Sequence, residues 1–367
     1  MSEPAVSRPA ASGSAADLVS VLVPTFNGER YLAEALRSVA SQTYQNLEIV
    51  ICDDGSTDAS PAIAVAFAAE DPRIRLHRNG DRLGPVGNFG RCLALASGPY
   101  VKYLMQDDVL EPHAVERLLV ALSGADDIVL ATSRRRLIDE HGGALPDRPE
   151  VRPPYDRDAV VEGLSLGNLV LEENLNLIGE PSAVLFRRSM LGDDEPFALE
   201  GTPYRYLADL ALWLPLLARG RAAYLVEPLT RFRHHEGQDS RVRGNMIVSV
   251  LEWHRLHREA RALGFLASDR SWERARRRWL EHAPFFFRFC SGMPDADRLF
   301  RAIVAANTDL VRLSKEGNRR QRVRTVLGAA TSCVHAALLF PVAGLGADRA
   351  HRLRAGRRRR RARPSRR

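Results

Sequence analysis

From Leu18 onward, short apolar runs alternate with segments whose apolar residues recur at helical spacing. Residues 18–23 form the first run, ended by Pro24. Residues 29–41 follow with Leu32, Ala35, Leu36 and Val39 on one helical face, and 47–52 is a second run stopped by Asp53-Asp54-Gly55. Ser56-Thr57-Asp58 ahead of Pro61 supplies helix-start chemistry, an acceptor for free amides and a proline preset for the first turn. Strands near 73–77 and at 100–105, helices near 86–96 and from about 112, and a strand at 127–131 continue the rhythm. This alternation predicts a parallel sheet covered by helices, with ligands at the carboxyl ends of its strands. Residues 133–165 are polar and rich in Pro and Arg, and read as a long loop or lid. Order returns with a helix over 206–218 and a strand at 222–226. From 246 to about 313 the pattern is helical, and Phe285, Phe286, Phe287 and Phe289 read as helix-packing core.

A chain of 367 residues, 45% hydrophobic, fills one large domain, alone or with an appendage. Its four cysteines stand far apart with no CxxC pair, which favours a reduced, cytosolic compartment over a disulfide framework or a thiolate metal site. Residues 1–17 are Ala/Ser/Pro-rich without the apolar centre of a secretory signal, and read as a disordered leader. The formal charge of +8 is unevenly placed. Residues 351–367 carry ten Arg and no acid, residues 319–350 five Arg and one Asp, and what remains, 1–318, sums to −6. An acidic body argues against nucleic acid as a partner, whose basic stripe belongs on the folded domain.

Three groups of candidate residues fall at consecutive strand ends: Pro24-Thr25-Phe26-Asn27-Gly28-Glu29, Asp53-Asp54-Gly55-Ser56 and Gln106-Asp107-Asp108. Each alone is an ordinary turn or cap; together they point to a shared ligand site. Adjacent carboxylates repel, so Asp107 and Asp108 favour a compensating cation. Oxygen ligands without a His/Cys cluster suit Mg2+ or Mn2+ shared with substrate phosphates. Neither GxGxxG nor GxxxxGK[ST] is present, so the dinucleotide fingerprint and the P-loop do not apply. A metal bridging a diphosphate, with Asp54 and loop backbone holding a nucleoside, is the reading left.

These stretches, with residues 19–28, Leu36-Arg37-Ser38-Val39, Ser41-Gln42-Thr43-Tyr44, residues 48–58 and Gly98-Pro99-Tyr100-Val101 leading into Asp107-Asp108, resemble the family 2 glycosyltransferases. The likeness is strong over 18 to about 130 and looser to 240. It implies an α/β GT-A fold, a Rossmann-like mostly parallel sheet with flanking helices, here with a C-terminal helical region. It also implies inverting transfer of one sugar from a nucleotide-sugar, commonly a UDP- or dTDP-sugar. By position, Pro24, Thr25, Asn27 and Glu29 would line the nucleotide pocket. Asp54 would accept from the base's ring N–H, and Asn88 would lie in the region closing over it. Asp108 would be the principal metal ligand with Asp107 beside the ribose and sugar. The fuller acidic motif has another Asp where Met105 stands. Asp209 matches the family's catalytic base, and its apolar neighbours Leu207, Leu210, Leu212 and Trp213 suit a buried carboxylate better than a surface one. Arg233 and His235 resemble the loop after the last domain strand, where a cation or third metal ligand helps the diphosphate depart. Gly179-Glu180-Pro181-Ser182 also recurs in related enzymes, on the acceptor side. The QxxRW signature of processive synthases is missing, which favours single addition.

Residues 326–346 are mostly apolar and long enough to span a bilayer, but contain His335, Pro341 and three glycines and are basic on both flanks. A segment in the interface or a re-entrant hairpin would keep every Arg against anionic headgroups; a buried helix is the competing reading. The expected division is therefore leader 1–17, transferase domain 18–240, helical appendage 241–318, basic-flanked apolar segment 319–346 and Arg-rich tail 347–367. The expected protein is cytoplasmic, peripheral at the inner membrane face, acting on a lipid-linked or surface-glycan acceptor. A nucleotidyltransferase, or a non-catalytic nucleotide- or nucleic-acid-binding protein, is the alternative.

Overall fold

Strands β1 (Val19–Thr25) and β2 (Leu47–Asp53) are buried along their whole length, which is why they read as near-continuous apolar runs. The structure, a computed structural model, describes residues 17–192, 195–237, 243–289 and 296–316. Between the two strands, α1 (Leu32–Ala40) buries Leu32, Ala35, Leu36 and Val39, the face read from spacing. The chain continues through α2 (Ser60–Glu70), β3 (Ile74–Arg78), α3 (Gly84–Leu95), β4 (Tyr100–Tyr103), β5 (Val109–Leu110), α4 (Ala114–Leu122) and β6 (Ile128–Ile138). Next come β7 (Ala159–Glu162), α5 (Gly163–Glu173), β8 (Val184–Arg187), the pair β9 (Ala198–Leu199) and β10 (Thr202–Pro203), α6 (Ala208–Leu217) and β11 (Arg221–Arg233). Helices α7 (Arg243–Glu259), α8 (Asp269–Phe289) and α9 (Ala296–Glu316) follow.

The main sheet runs β3-β2-β1-β4-β8-β6-β11-β5, with β7 paired to β11. Its first four strands are mutually parallel, and β6 is parallel to β11. The expectation of a parallel sheet needs one correction, because β8 lies antiparallel between β4 and β6. The Met105 amide, just past β4, donates to the Ser182 hydroxyl at 2.9 Å. The chain therefore enters β8 at the carboxyl end of β4; β7 already runs against β11, and α5 carries the chain from β7 to β8 in that same reversed direction. With β5 and β7 also antiparallel to β11, the sheet is mixed but mostly parallel. One face packs on α1 and α4 through residues such as Val21, Leu36, Ile49, Leu118 and Leu122.

A second correction concerns 133–165. Strand β6 runs on through Arg135 to Ile138, and β7 and a short turn at Pro149–Val151 lie within the remainder. Likewise β11 extends to Arg233, which pairs with Ile138 on the strand itself, not in the loop after it. The chain divides into two compact units, Met1–Ala275 and Arg276–Arg367, the division falling within α8. The first unit thus carries α7 with the sheet; in the second, α9 buries Leu299, Ile303 and Ala306. The leader up to residue 16, the segment 319–346, the tail and the side chains of Phe285, Phe286, Phe287 and Phe289 lie outside what is described. No helix among the described residues is long and apolar enough to cross a membrane.

Candidate active site

Loops leaving the carboxyl ends of β1, β2 and β4 are stitched to one another. The Gln106 amide brackets Phe26, accepting from its N–H at 2.9 Å and donating to its carbonyl at 3.0 Å. Asn27 sits in the left-handed region (φ 47). Its N–H donates to Ser56 Oγ at 2.9 Å, and its side-chain oxygen accepts from the Thr57 amide at 2.9 Å. The Gly28 amide donates to Ser60 Oγ at 2.8 Å, and a Cβ on Gly28 would stand 2.4 Å from Gln106 Oε1. Glu29 accepts from the Ala59 amide at 2.9 Å. Pro24 and Thr25 are buried at the end of β1, where the Thr25 carbonyl receives the Asp54 amide at 2.9 Å. Loop backbone is thereby held in place by side chains from the neighbouring loop.

Asp54 is 2% exposed. Its carboxylate accepts from Asn79 Nδ2, Leu83 N and Gly84 N, each at 2.8 Å, the last on Oδ2 alone. Asn88, buried in α3, accepts from Asn79 Nδ2 at 3.0 Å and donates to the Cys52 carbonyl at 3.0 Å. Both side chains thus hold the 79–84 turn, and the Arg82 guanidinium lies over the Phe26 ring at 3.8 Å.

The acidic pair differs residue by residue. Asp108 is fully buried; its Oδ1 accepts from the Arg233 amide at 3.0 Å, whereas Oδ2 is buried with no hydrogen bond among the described residues. Burial and the Asp107 charge push the Asp108 carboxyl well above the usual carboxylate range, against the Ser182 hydroxyl and the Arg233 amide. Asp107 is more accessible and meets His235 Nε2 at 3.0 Å. The Arg233 guanidinium is inward-facing: it donates to the carbonyls of Asp107 at 2.8 Å and Asp139 at 3.2 Å and to Glu34 at 2.6 Å. Behind the pair, buried Lys102 donates to the Ser182 carbonyl at 2.5 Å, and burial pulls its ammonium down to about 7. Among the described residues, no three His, Cys, Asp or Glu side chains converge as a metal-ligand group.

Asp209 lies in the first turn of α6, partly buried. Glu252 of α7 accepts from the amides of Arg205, Tyr206 and Leu207 at 2.7, 2.8 and 2.9 Å, pinning the entry to that helix. Asp209 Oδ1 takes the Leu210 amide at 2.8 Å and Oδ2 the Asn176 amide at 2.6 Å. Burial pushes its carboxyl up to about 7; Glu180 adds to the rise, while the Leu210 amide and Arg135 oppose it. Glu180 also raises Asp108, so one carboxylate is felt by both the acidic pair and Asp209.

Against this geometry, residues 20–191 match the family model described as Glycosyl transferase family 2. The chain belongs to that family. An uncharacterized glycosyltransferase of Haemophilus influenzae is 27% identical over 230 residues, 61% of this chain and 68% of its own. Uncharacterized protein MT1568 of Mycobacterium tuberculosis is 31% identical over 223 residues, 59% of this chain and 67% of its own. S. aureus TarS 1–349, solved in complex with UDP-GlcNAc, shares the fold at a TM-score of 0.62 and 15% identity, covering 88% of this chain and 90% of that one. The fold is GT-A, and the chain is a glycosyltransferase.

The structure brings Pro24, Thr25, Asn27, Glu29, Asp54 and Asn88 to one end of the sheet, and Asp107, Asp108, Arg233 and His235 into one cluster beside it. Sequence reasoning gave no part to Gln106, Lys102, Arg135, Asn176 or Glu252. Gln106 lay inside a named motif, and Lys102 is one of only two lysines, Lys315 being the other. Arg135, Asn176 and Glu252 carried no local signal, because their partners are 45, 33 and about 46 positions away.

Proposed function

We propose that this glycosyltransferase moves a single sugar from a UDP- or dTDP-sugar to a hydroxyl of a lipid-linked or cell-surface glycan, with inversion, and that Asp209 is the general base. The observation that carries the reading is the Asp209 carboxyl, partly buried and pushed up to about 7, under the same Glu180 field as Asp108. A base with that affinity is half ionised at neutral pH and still draws a proton from an acceptor hydroxyl as it attacks. The acceptor oxygen bonds to the anomeric carbon, its proton goes to Asp209, and the carbon–oxygen bond to the diphosphate breaks with the electron pair on the diphosphate. Asp54 has about four acceptor sites and spends three on the 79–84 turn, leaving one on Oδ2 for a base ring N–H. Pro24, Thr25, Asn27 and Glu29 frame the nucleotide from β1, and Asn88 secures the turn over it.

The orphaned, buried Oδ2 of Asp108 suits a divalent cation, Mg2+ or Mn2+, whose other ligands are substrate phosphates and water. Bound there, the cation would neutralise charge on the departing diphosphate. Asp108 would hold it directly. His235 would contribute beside Asp107, whose carboxylate it already meets. Arg233 acts through the pair, its amide on Asp108 and its guanidinium on the Asp107 carbonyl. The arginine clusters around 319–346 would keep the enzyme at the anionic inner face of the membrane.

A thermal-shift screen of UDP-, dTDP- and GDP-sugars with and without Mn2+, UDP-GlcNAc first, selects the donor. Release of nucleoside diphosphate supports the reading, whereas release of pyrophosphate replaces it with nucleotidyl transfer. Asp209→Asn should abolish transfer at nearly unchanged nucleotide affinity, and near-normal turnover would remove Asp209 from the mechanism.

A further inference from the structure

Beside Asp209 the chain builds a small polar knot that sugar transfer as such does not call for. Asn176, in the turn after α5, spends its whole side chain locally. Its oxygen accepts the Gly179 amide at 2.9 Å; its nitrogen donates to Asp209 Oδ2 at 2.6 Å and to the Gly179 carbonyl at 3.2 Å. The same Gly179 carbonyl receives the Trp213 indole N–H at 3.2 Å from the helix that bears Asp209. Arg135 of β6 donates to the Asn176 carbonyl at 2.6 Å and pairs with Glu180, so strand, turn and helix are locked together. Gly179 sits at φ +119, where side chains are strained, and its own Cβ position would strike Ala183 at 2.8 Å.

From this geometry we infer that Asn176 is a positioning residue for the transfer reaction, fixing the Asp209 carboxylate by occupying one oxygen with an amide donor. The inference rests on the assignment of Asp209 as base. An amide N–H only donates, so it favours the ionised carboxylate at any pH and leaves the remaining lone pairs for the acceptor hydroxyl. The charged groups around Asp209 work in both directions: Glu180, from the turn ahead of β8, raises its carboxyl and Arg135, from β6, lowers it. The α6 amides, including that of Leu210, favour the ionised form.

Two variants separate positioning from mere turn-holding. Asn176→Asp keeps an oxygen for the Gly179 amide, while the Gly179 carbonyl keeps the Trp213 indole N–H, but it presents a carboxylate to Asp209. Asn176→Ala removes all three side-chain contacts. Asp209 is followed by 13C NMR of labelled aspartate, its signal assigned by its loss in Asp209→Asn, with thermal melts reporting folding. A lost hydrogen bond to a charged group raises the carboxyl midpoint by about one pH unit in Asn176→Ala, and by more in Asn176→Asp. The acid limb of UDP release from UDP-GlcNAc should move with it, at unchanged KM for the donor. An Asp209 midpoint unmoved in folded Asn176→Asp overturns the inference. If Asp209→Asn itself keeps full turnover, the base assignment fails, whereas a moved midpoint would still establish the Asn176 contact.

Discussion

Replacing Asp209 by Asn should make the protein more stable while it destroys activity, and the gain should depend on pH in a defined way. An ordinary aspartate titrates near 3.8 and Asp209 near 7. Its carboxyl is raised in the fold, so its contribution to stability is fully present below 3.8 and is lost as pH climbs to about 7. At 1.36 kcal/mol per pH unit the ionised group costs the fold at most about 4 kcal/mol at pH 8, and partial solvent exposure reduces this to about 1–3 kcal/mol. Asn cannot ionise and avoids that cost. Its one acceptor oxygen keeps the Leu210 amide, but its NH2 faces the Asn176 NH2 and loses that partner, a constant offset of about 1 kcal/mol that does not vary with pH. The stability difference between variant and wild type should therefore be near zero or slightly negative at pH 4. It should rise between pH 4 and 7 and level off above. Denaturant melts at pH 4, 5, 6, 7 and 8 measure it directly, and each kcal/mol should also appear as about 2–4 °C in Tm. At pH 7–8, turnover of the variant should lie about 10^3-fold below wild type, and the gap should narrow towards pH 4 as wild type loses its ionised base. A difference that is flat with pH would mean that Asp209 is not held as a desolvated carboxyl, and the physical basis for its role would go with it.

Two further outcomes test other parts of the site. Gly28→Ala places a Cβ 2.4 Å from Gln106 Oε1, so it should expel Gln106 from its two bonds to Phe26. Nucleotide-sugar affinity measured by calorimetry should fall about tenfold, and adding Gln106→Ala should cost little more because the shared contact is already gone. Deleting 319–367 should release the protein from vesicles containing anionic lipid without changing donor hydrolysis; full-length protein that fails to sediment with such vesicles would end the membrane reading.

The alternation of strands and helices, the buried face of α1 and the loops that end β1, β2 and β4 were legible in the sequence. Each depends on residues close in the chain: apolar periodicity, a proline, an Asp-Gly turn. Where polar residues are buried by distant partners, the pattern misleads. Arg134, Arg135 and Arg136 look like loop, yet Arg135 is 1% exposed in β6 because Glu180 and the Asn176 carbonyl receive its charge. Arg233 looks like a free cation in a polar tail, yet β11 carries it inward to Glu34 and the Asp107 carbonyl. The direction of β8 was equally hidden, since hydropathy reports burial and not from which end a strand is entered.

The sequence by itself determined the α/β class, the family and the carboxylates on which the chemistry rests, because those follow from local periodicity and from motifs within a few residues. Only the tertiary structure decided what each carboxylate is. Asp54 is a loop anchor with one acceptor site to spare, and Asp108 is a buried acid with an orphaned oxygen. Asp209 is a carboxyl pushed up to about 7 and held by Asn176. Desolvation and hydrogen bonding set those differences, and both depend on groups that the fold, not the chain order, brings within reach.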